Sequence, residues 1–241
     1  MPNKVALIIG AGDATGGAIA RRFAREGFFT CVTRRQADKL EPLVARIAAE
    51  GGQARGFGSD ARREDEVAEL FATIEREIGP IEVLVYNIGA NVRFGLRETT
   101  TRVFTKVWEL CTLAGFLVGR EAATVMVPRG HGTIIFTGAT ASLRGRSGFA
   151  AFGSAKAALR SVAQSAAREL GPLGIHVAHV VIDGAIDTEF IRTTAPQRYA
   201  TKADDGILDP DAIAENYWRL HCQPRNAWTH ELDLRPWSEQ W

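Results

Sequence analysis

Val5-Ala-Leu-Ile-Ile9 runs without a break into Gly10-Ala-Gly-Asp-Ala-Thr15-Gly-Gly17. An apolar run this short, with no polar alternation, suits a strand buried on both faces. The glycines behind it mark a tight turn in which backbone can approach a ligand closely. Ile19, Ala20, Phe23 and Ala24 then recur at helical spacing, and Gly27 closes that helix before a second apolar run over residues 28–33. The unit is strand, glycine turn, helix, strand. A helix that starts on such a turn offers unpaired amides and the positive end of its dipole, which is the chemistry a pyrophosphate requires.

The same alternation continues outward from this unit. Leu40, Leu43, Val44 and Ile47 predict a helix with Pro42 in its first turn and Gly51-Gly52 as its stop, followed by a strand over 53–57. Val67, Leu70, Phe71, Ile74 and Ile78 form the next helical stripe, closed by Gly79-Pro80 before a strand over 81–86. Residues 102–127 predict one long helix whose apolar residues cover more than one stripe, so sheet and a second subunit are expected on its two sides. Strands follow at 133–137, 175–182 and 228–234, with a helix from about Ser147 to Gly171-Pro172. The rhythm predicts one domain over residues 1–241, an α/β doubly wound parallel sheet with helices on both faces. Residues 191–208, the core of a lid at about 189–209, read as an irregular segment, and Asp209-Pro210 as an N-cap and first helical residue.

Composition narrows the function classes. Of 241 residues, 46% are hydrophobic and 24% charged, and 29 Lys+Arg against 28 Asp+Glu leave a net charge of +1, which argues against a nucleic-acid partner. Cys31, Cys111 and Cys222 are widely spaced, so no disulfide framework or metal site is expected, and a reducing cytoplasm is the expected location. No signal peptide or membrane span is expected either.

At the end of the second strand, where an acid would bind the ribose hydroxyls of NAD, the chain has Thr33-Arg34-Arg35. A guanidinium there suits a phosphate and favours NADP, with NAD as the alternative. Asp13 in the glycine turn pulls the other way, either repelling a phosphate or pairing with Arg34.

Gly10-x-x-x-Ala-x-Gly16, Asp60, Tyr86-Asn87-Ile88-Gly89, Phe152-x-x-x-Lys156 and Asp183-Gly184-x-x-x-Thr188 follow one another along nearly the whole chain. In that order and spacing the chain resembles the short-chain dehydrogenase/reductase family. The resemblance implies a Rossmann-type sheet of about seven strands, a nicotinamide cofactor, a small-molecule substrate and a homodimer or homotetramer. It implies a cofactor surface made by Gly10, Gly12, Asp13, Ala14, Thr15, Gly16, Arg34 and Arg35. Asp60, beside Ala61, would meet the adenine ring. Asn87 and Gly89 would border the ribose and Lys156 would anchor it, while Thr188 would hold the nicotinamide amide near Gly184 and Ile186.

The family's usual catalytic set is asparagine, serine, tyrosine and lysine. Counted along the pattern, those positions are Cys111, Ala139, Phe152 and Lys156. Only the lysine matches. Phenylalanine cannot pass a proton to the substrate oxygen, and losing a positioned acid costs about 100- to 10,000-fold in rate. The missing serine removes a donor for the developing alkoxide. The turn also has Ala14 where the family places its middle glycine, which narrows the phosphate site.

Stand-ins within reach of such a site are Thr140, Tyr86, Cys111, Arg144, Arg146, Asn91 and Arg93. The arginines suit an anionic substrate or a cofactor phosphate. His176 and His179 read as core or interface residues of the sixth strand, and His131 lies at the opposite end of the sheet. The functional expectation is hydride transfer to an activated carbonyl, alkene or imine by an altered oxidoreductase. A catalytically inactive NADP-binding sensor or partner subunit, and a non-redox isomerase or lyase, stay open. Four of five tryptophans, Trp218, Trp228, Trp237 and Trp241, fall in the last 24 residues and predict a C-terminal subunit interface or a tail folded back on its own domain.

Overall fold

In the computed structural model, which describes residues 3–240, strands and helices alternate from the first strand onward. The chain runs β1 (Val5–Ile9), α1 (Thr15–Arg25), β2 (Phe29–Arg34), α2 (Glu41–Ala49), β3 (Gln53–Gly58), α3 (Glu64–Glu77) and β4 (Ile81–Tyr86). It continues through α4 (Thr101–Trp108), α5 (Ala114–Met126), β5 (Gly132–Thr137), α6 (Ala150–Leu170) and β6 (Ile175–Ile182). The last elements are α7 (Glu189–Thr194), α8 (Pro196–Ala200), α9 (Pro210–His221) and β7 (Glu231–Leu234). The strands form one parallel sheet in the order β3-β2-β1-β4-β5-β6-β7. This is the doubly wound Rossmann-type fold that the alternation predicts.

Strand order turns around at β1, which has β2 on one side and β4 on the other. Ligands of such sheets bind outside the carboxyl ends of the strands at that reversal. Register brings those ends level: Ile9 pairs with both Thr33 and Tyr86, and Tyr86 pairs with Phe136. The central strand is apolar throughout because both its faces are covered. Val5, Leu7 and Ile9 pack with Val67 and Phe71 of α3, Val118 of α5 and Leu159 of α6. Ala6 and Ile8 pack with Ile19 and Phe23 of α1, Ile47 of α2 and Tyr217 of α9.

Several boundaries differ from the sequence expectation for local reasons. The helix expected from about Ser147 starts at Ala150, because Gly148 takes a left-handed φ of 84° inside a turn closed by Phe149 N–H on the Arg146 carbonyl. The strand expected from Trp228 starts at Glu231, since Trp228 is stacked on His176 at 4.9 Å. The long helix is not continuous, as a π-helical turn over Glu109–Leu113 separates α4 from α5. The segment expected to be irregular folds into α7 and α8 and a 3₁₀ turn, with Thr188 capping α7 and Pro196 opening α8. Asp209 does cap α9, accepting from the Asp211 amide, with Pro210 in the first turn.

Residues Thr101–Arg129 reach, by length and composition alone, what crossing a membrane requires, an 18-residue window of them having a mean hydropathy of 1.5. Half of that window is buried in the protein, so the run has the character of a core helix. Its outer side leaves Phe104, Trp108 and Phe116 each about two-fifths exposed.

Two of the C-terminal tryptophans fold back on their own sheet. Trp218 of α9 meets Phe23 edge-on at 5.4 Å and Phe28 at 6.2 Å, with the Arg22 guanidinium 5.0 Å from its ring. Trp237 is exposed and donates to the Asp204 carbonyl, while Trp241 lies outside the described residues. Truncation of Trp218 to alanine is therefore expected to lower unfolding free energy by about 2–4 kcal/mol. Urea titration followed by circular dichroism checks this, and an unchanged midpoint would contradict the packing role.

Candidate functional site

The carboxyl ends of β1, β4, β5 and β6 open into a cavity of about 520 Å³. One wall is the glycine turn. A methyl group at Gly16 would stand 2.6 Å from the Gly10 carbonyl oxygen, and one at Gly17 would stand 2.6 Å from that of Gly12. The start of α1 can therefore seat on the turn only without side chains. Asn87 Nδ2 donates to the Gly10 carbonyl at 3.1 Å and ties the β4 end to the turn. Ala18 N–H is bonded to the Ala14 carbonyl, and the amides before it, in the first turn of α1, face the cavity end of the helix.

Lys156 closes the cavity floor. Its Nζ donates to the Thr137 carbonyl at 2.8 Å and the Ile88 carbonyl at 3.0 Å, and the side chain is buried. Burial pushes the lysine pKa down, while the neighbouring Cys111 works in the opposite direction. One helical turn earlier, the Phe152 ring lines the same cavity. Cys111 does not reach the cavity lining. It sits fully buried behind Phe152 in an apolar group with Val107, Ala151 and Ala155, where burial pushes its thiol pKa up.

Ala139 and Thr140 line the cavity at the end of β5. The Ala139 amide donates to Ser142 Oγ at 3.1 Å. The Thr140 hydroxyl donates to Asp183 Oδ1 at 2.5 Å, and Arg144 Nη2 donates to Asp183 Oδ2 at 3.1 Å. Asp183, 1% exposed, thus holds a hydroxyl and a guanidinium in fixed positions. Tyr86 is remote from this chemistry, because its buried hydroxyl donates to the Leu110 carbonyl.

The remaining sequence candidates divide into three groups. Gly10, Gly12, Asp13, Ala14, Thr15, Gly16, Asn87, Gly89, Asn91, Arg144, Arg146, Gly184 and Ile186 line the main cavity. Asp60 and Ala61 line an adjoining cavity of about 350 Å³ with Arg34, Arg35, Asn87 and Gly89. There Asp60 is already paired with Arg62 at 2.5 Å, which holds its pKa below the usual carboxylate range. Arg34 pairs with Asp13 at 3.3 Å, one of the two outcomes that the sequence leaves open. Thr188 lies outside the lining of either cavity, its hydroxyl accepting from the Ile191 amide as the cap of α7. Arg93 is also outside, packed over Gly148.

Comparison with known proteins shows the family of the chain. The family model for short chain dehydrogenases matches residues 4–198. The chain belongs to the short-chain dehydrogenase family. A short-chain dehydrogenase from Rhodopseudomonas palustris is 48% identical, with a TM-score of 0.83 over 98% of this chain and 100% of that one. Gluconate 5-dehydrogenase of Gluconobacter oxydans is 30% identical over 95% of this chain and 83% of its own. A metagenomic short-chain oxidoreductase solved in complex with NADP is 25% identical, with a TM-score of 0.84 over 98% of each chain. For a short-chain dehydrogenase, the main cavity is where the shared fold brings sheet reversal, glycine turn and Lys156 together.

The sequence reads His179 as a core or interface residue, and the structure buries it; the group that it joins beneath the cavity is what sequence reasoning missed. His179 of β6 is fully buried, and a methyl group at Gly138 in the cavity wall would stand 2.4 Å from its Nε2. Its Nδ1 is 3.0 Å from Glu231, which also accepts two bonds from Arg160 at 2.6 and 2.7 Å. Burial outweighs the Glu231 charge and lowers the His179 pKa to about 4, and His221 falls to about 4 chiefly through burial. Below pH 6.5 the unfolded chain binds these protons first, so folding stability is expected to fall as pH drops from about 6.5 to 4. Each such histidine contributes at most about 2–3 kcal/mol to the loss. Thermal melts from pH 7.5 to 4 test this: His179→Gln should flatten the acid limb, and an unchanged slope would remove the assignment.

Proposed function

We propose that this protein is an NADP-preferring oxidoreductase with an altered catalytic site, which transfers hydride to an activated small-molecule carbonyl, alkene or imine. Three features support the cofactor reading. The first turn of α1 offers amide donors, Gly89 leaves open space where a Cβ would project, and Lys156 carries a buried ammonium at the cavity floor. Arg34, Arg35 and Lys39 line a cavity of about 730 Å³ with Asp13 as the single acid. Pairing with Arg34 takes up that acid, leaving Arg35 and Lys39 for a 2′-phosphate. The NADP complex of the metagenomic relative adds support from a chain of the same fold. Bound there, the nicotinamide would supply a hydride to the substrate.

The observation that carries the altered chemistry is how the hydroxyls that line the cavity are engaged. Thr137 Oγ1 is 2.8 Å from the Tyr217 hydroxyl, and Thr140 donates to Asp183. Thr15 lies at the helix end of the cavity. Among the described residues, no tyrosine, histidine or cysteine lines the cavity, and its one acid, Asp13, belongs to the glycine turn. With Phe152 in the tyrosine position, Ala139 in the serine position and Cys111 in the asparagine position, the protein holds and orients a substrate against an apolar wall and leaves protonation to water. Substrates whose acceptor atom is already electron-poor or charged suit such a site.

The second reading, a nucleotide-binding protein without turnover, is favoured by the same commitment of Thr140 to Asp183. The exposed Trp237 and the exposed aromatic side of α4 and α5 support a homodimer or homotetramer, which light scattering would test. Fluorescence titration should show NADPH binding more tightly than NADH, with Arg35→Ser losing roughly 10- to 100-fold for NADPH alone. Equal affinities in the wild type would remove the NADP preference. In assays of NADPH oxidation, Phe152→Tyr should raise reduction of simple ketones by about 100-fold or more. A wild type that binds NADPH but oxidises it with no carbonyl, enoyl or imine substrate, beside an active tyrosine variant, would favour the second reading.

A further inference from the structure

The mouth of the main cavity is shared with a second cavity of about 630 Å³, and Thr140, Arg144 and Arg146 line both. Three guanidiniums surround this second space, from Arg144, Arg146 and Arg198. They are not equivalent. Arg144 is neutralised by Asp183 at 3.1 Å and Arg198 by Glu239. Arg146 is exposed, and no carboxylate lies within ion-pair distance of it among the described residues. Its loop is nonetheless anchored: the Phe149 amide donates to the Arg146 carbonyl at 3.0 Å, and the Phe94 amide donates to the Gly148 carbonyl at 2.9 Å.

That second bond ties another uncompensated cation, outside the cavity lining, to the same loop. Arg93 packs over Gly148, its Cγ 3.1 Å from where a methyl group would stand, and it too has no acid within ion-pair distance among the described residues. Inside the mouth the wall is apolar, formed by Ala139, Ala141, Phe149, Phe152 and Ile186. Low-dielectric walls focus the field of a charge placed at their edge. A guanidinium left without a partner there, on a loop held by backbone bonds, is a ready-made fork for an oxyanion.

We infer that the substrate is an acidic small molecule, with an apolar body against Phe152 and a carboxylate or phosphate held at the rim by Arg146, with Arg93 adding to the field. The inference rests on the oxidoreductase reading and names the substrate class of that same site.

Calorimetric titration tests the inference with matched pairs: 2-oxobutanoate and its methyl ester, 2-oxo-4-phenylbutanoate and its ethyl ester, and dihydroxyacetone phosphate and dihydroxyacetone. Each is titrated into protein with and without NADPH. The anion of at least one pair should bind roughly 10- to 100-fold tighter than its neutral partner. Added salt should weaken only the anion. Arg146→Ala should abolish the difference and Arg146→Lys should retain part of it. The pair that shows the preference separates carboxylate from phosphate. No preference in any pair, or a preference that survives in Arg146→Ala, overturns the inference. NADPH affinity is measured separately by fluorescence. A wild type that fails to bind NADPH removes the cofactor reading, while the pairs measured on the free protein still decide the rim.

Discussion

The Lys156 ammonium, bonded to the carbonyls of Thr137 and Ile88, is the contact on which the rest of the site depends. Taking an ammonium out of water costs several kcal/mol unless its donors are met. Here two of the three N–H groups end on carbonyls that belong to different segments, one at the end of β5 and one just past β4. The lysine can keep its charge only while α6 lies in one register against both strand ends. That register in turn places Phe152 one turn above the ammonium and sets Ala151 and Ala155 against Cys111. A single buried charge thus fixes a helix, two loops and the floor of the cavity.

The same constraint explains where the polar chemistry has gone. With Phe152, Cys111 and Ala139 gathered into one apolar group beside the lysine, these positions offer the cavity no side-chain oxygen. The Thr140 hydroxyl and the Arg144 guanidinium, which line the same cavity, are bonded to Asp183 instead. A buried carboxylate needs such donors, and Asp183 takes them from Thr140 and Arg144, with Arg235 at 3.9 Å. The wall and the network are complementary. One keeps water away from the middle of the cavity, and the other prevents its edge from moving.

How far the sequence reveals this depends on the range of each interaction. β1, the glycine turn and the helix behind it are set by neighbours in the chain, and so are the Asp209 cap and the apolar strand β4, all of which the sequence predicts. The start of α6 is not visible, because it depends on the left-handed φ of Gly148, and many glycines sit equally well inside a helix. Lys156 and Phe152 stand out in sequence as a pair, but the carbonyls that hold the lysine do not, since backbone oxygens carry no residue-type signal. The role of Thr188 as a helix cap is hidden for a similar reason: its hydroxyl serves the first turn of α7, a helix that the Thr- and Asp-rich composition of the segment conceals. The His179, Glu231 and Arg160 group joins β6, β7 and α6 and exists only after the sheet has formed.

Charge along the cavity follows from the same division between local and distant contacts. Asp13 compensates part of the cluster of Arg34, Arg35 and Lys39 at the glycine-turn end. At the other end, Asp183 and Glu239 compensate Arg144 and Arg198, while Arg146 remains unmatched. Between the two lies the apolar wall of Ala139, Phe149, Phe152 and Ile186. A protein with a net charge of only +1 therefore carries uncompensated positive charge both beside the glycine turn and at the mouth of the main cavity, whose wall is in part apolar. Such separation becomes costly once water is displaced from the cleft, because like charges at the two rims then repel with less between them to screen the field. It becomes favourable when anionic groups occupy both ends together, since each neutralises its own rim and an apolar body fills the space between them.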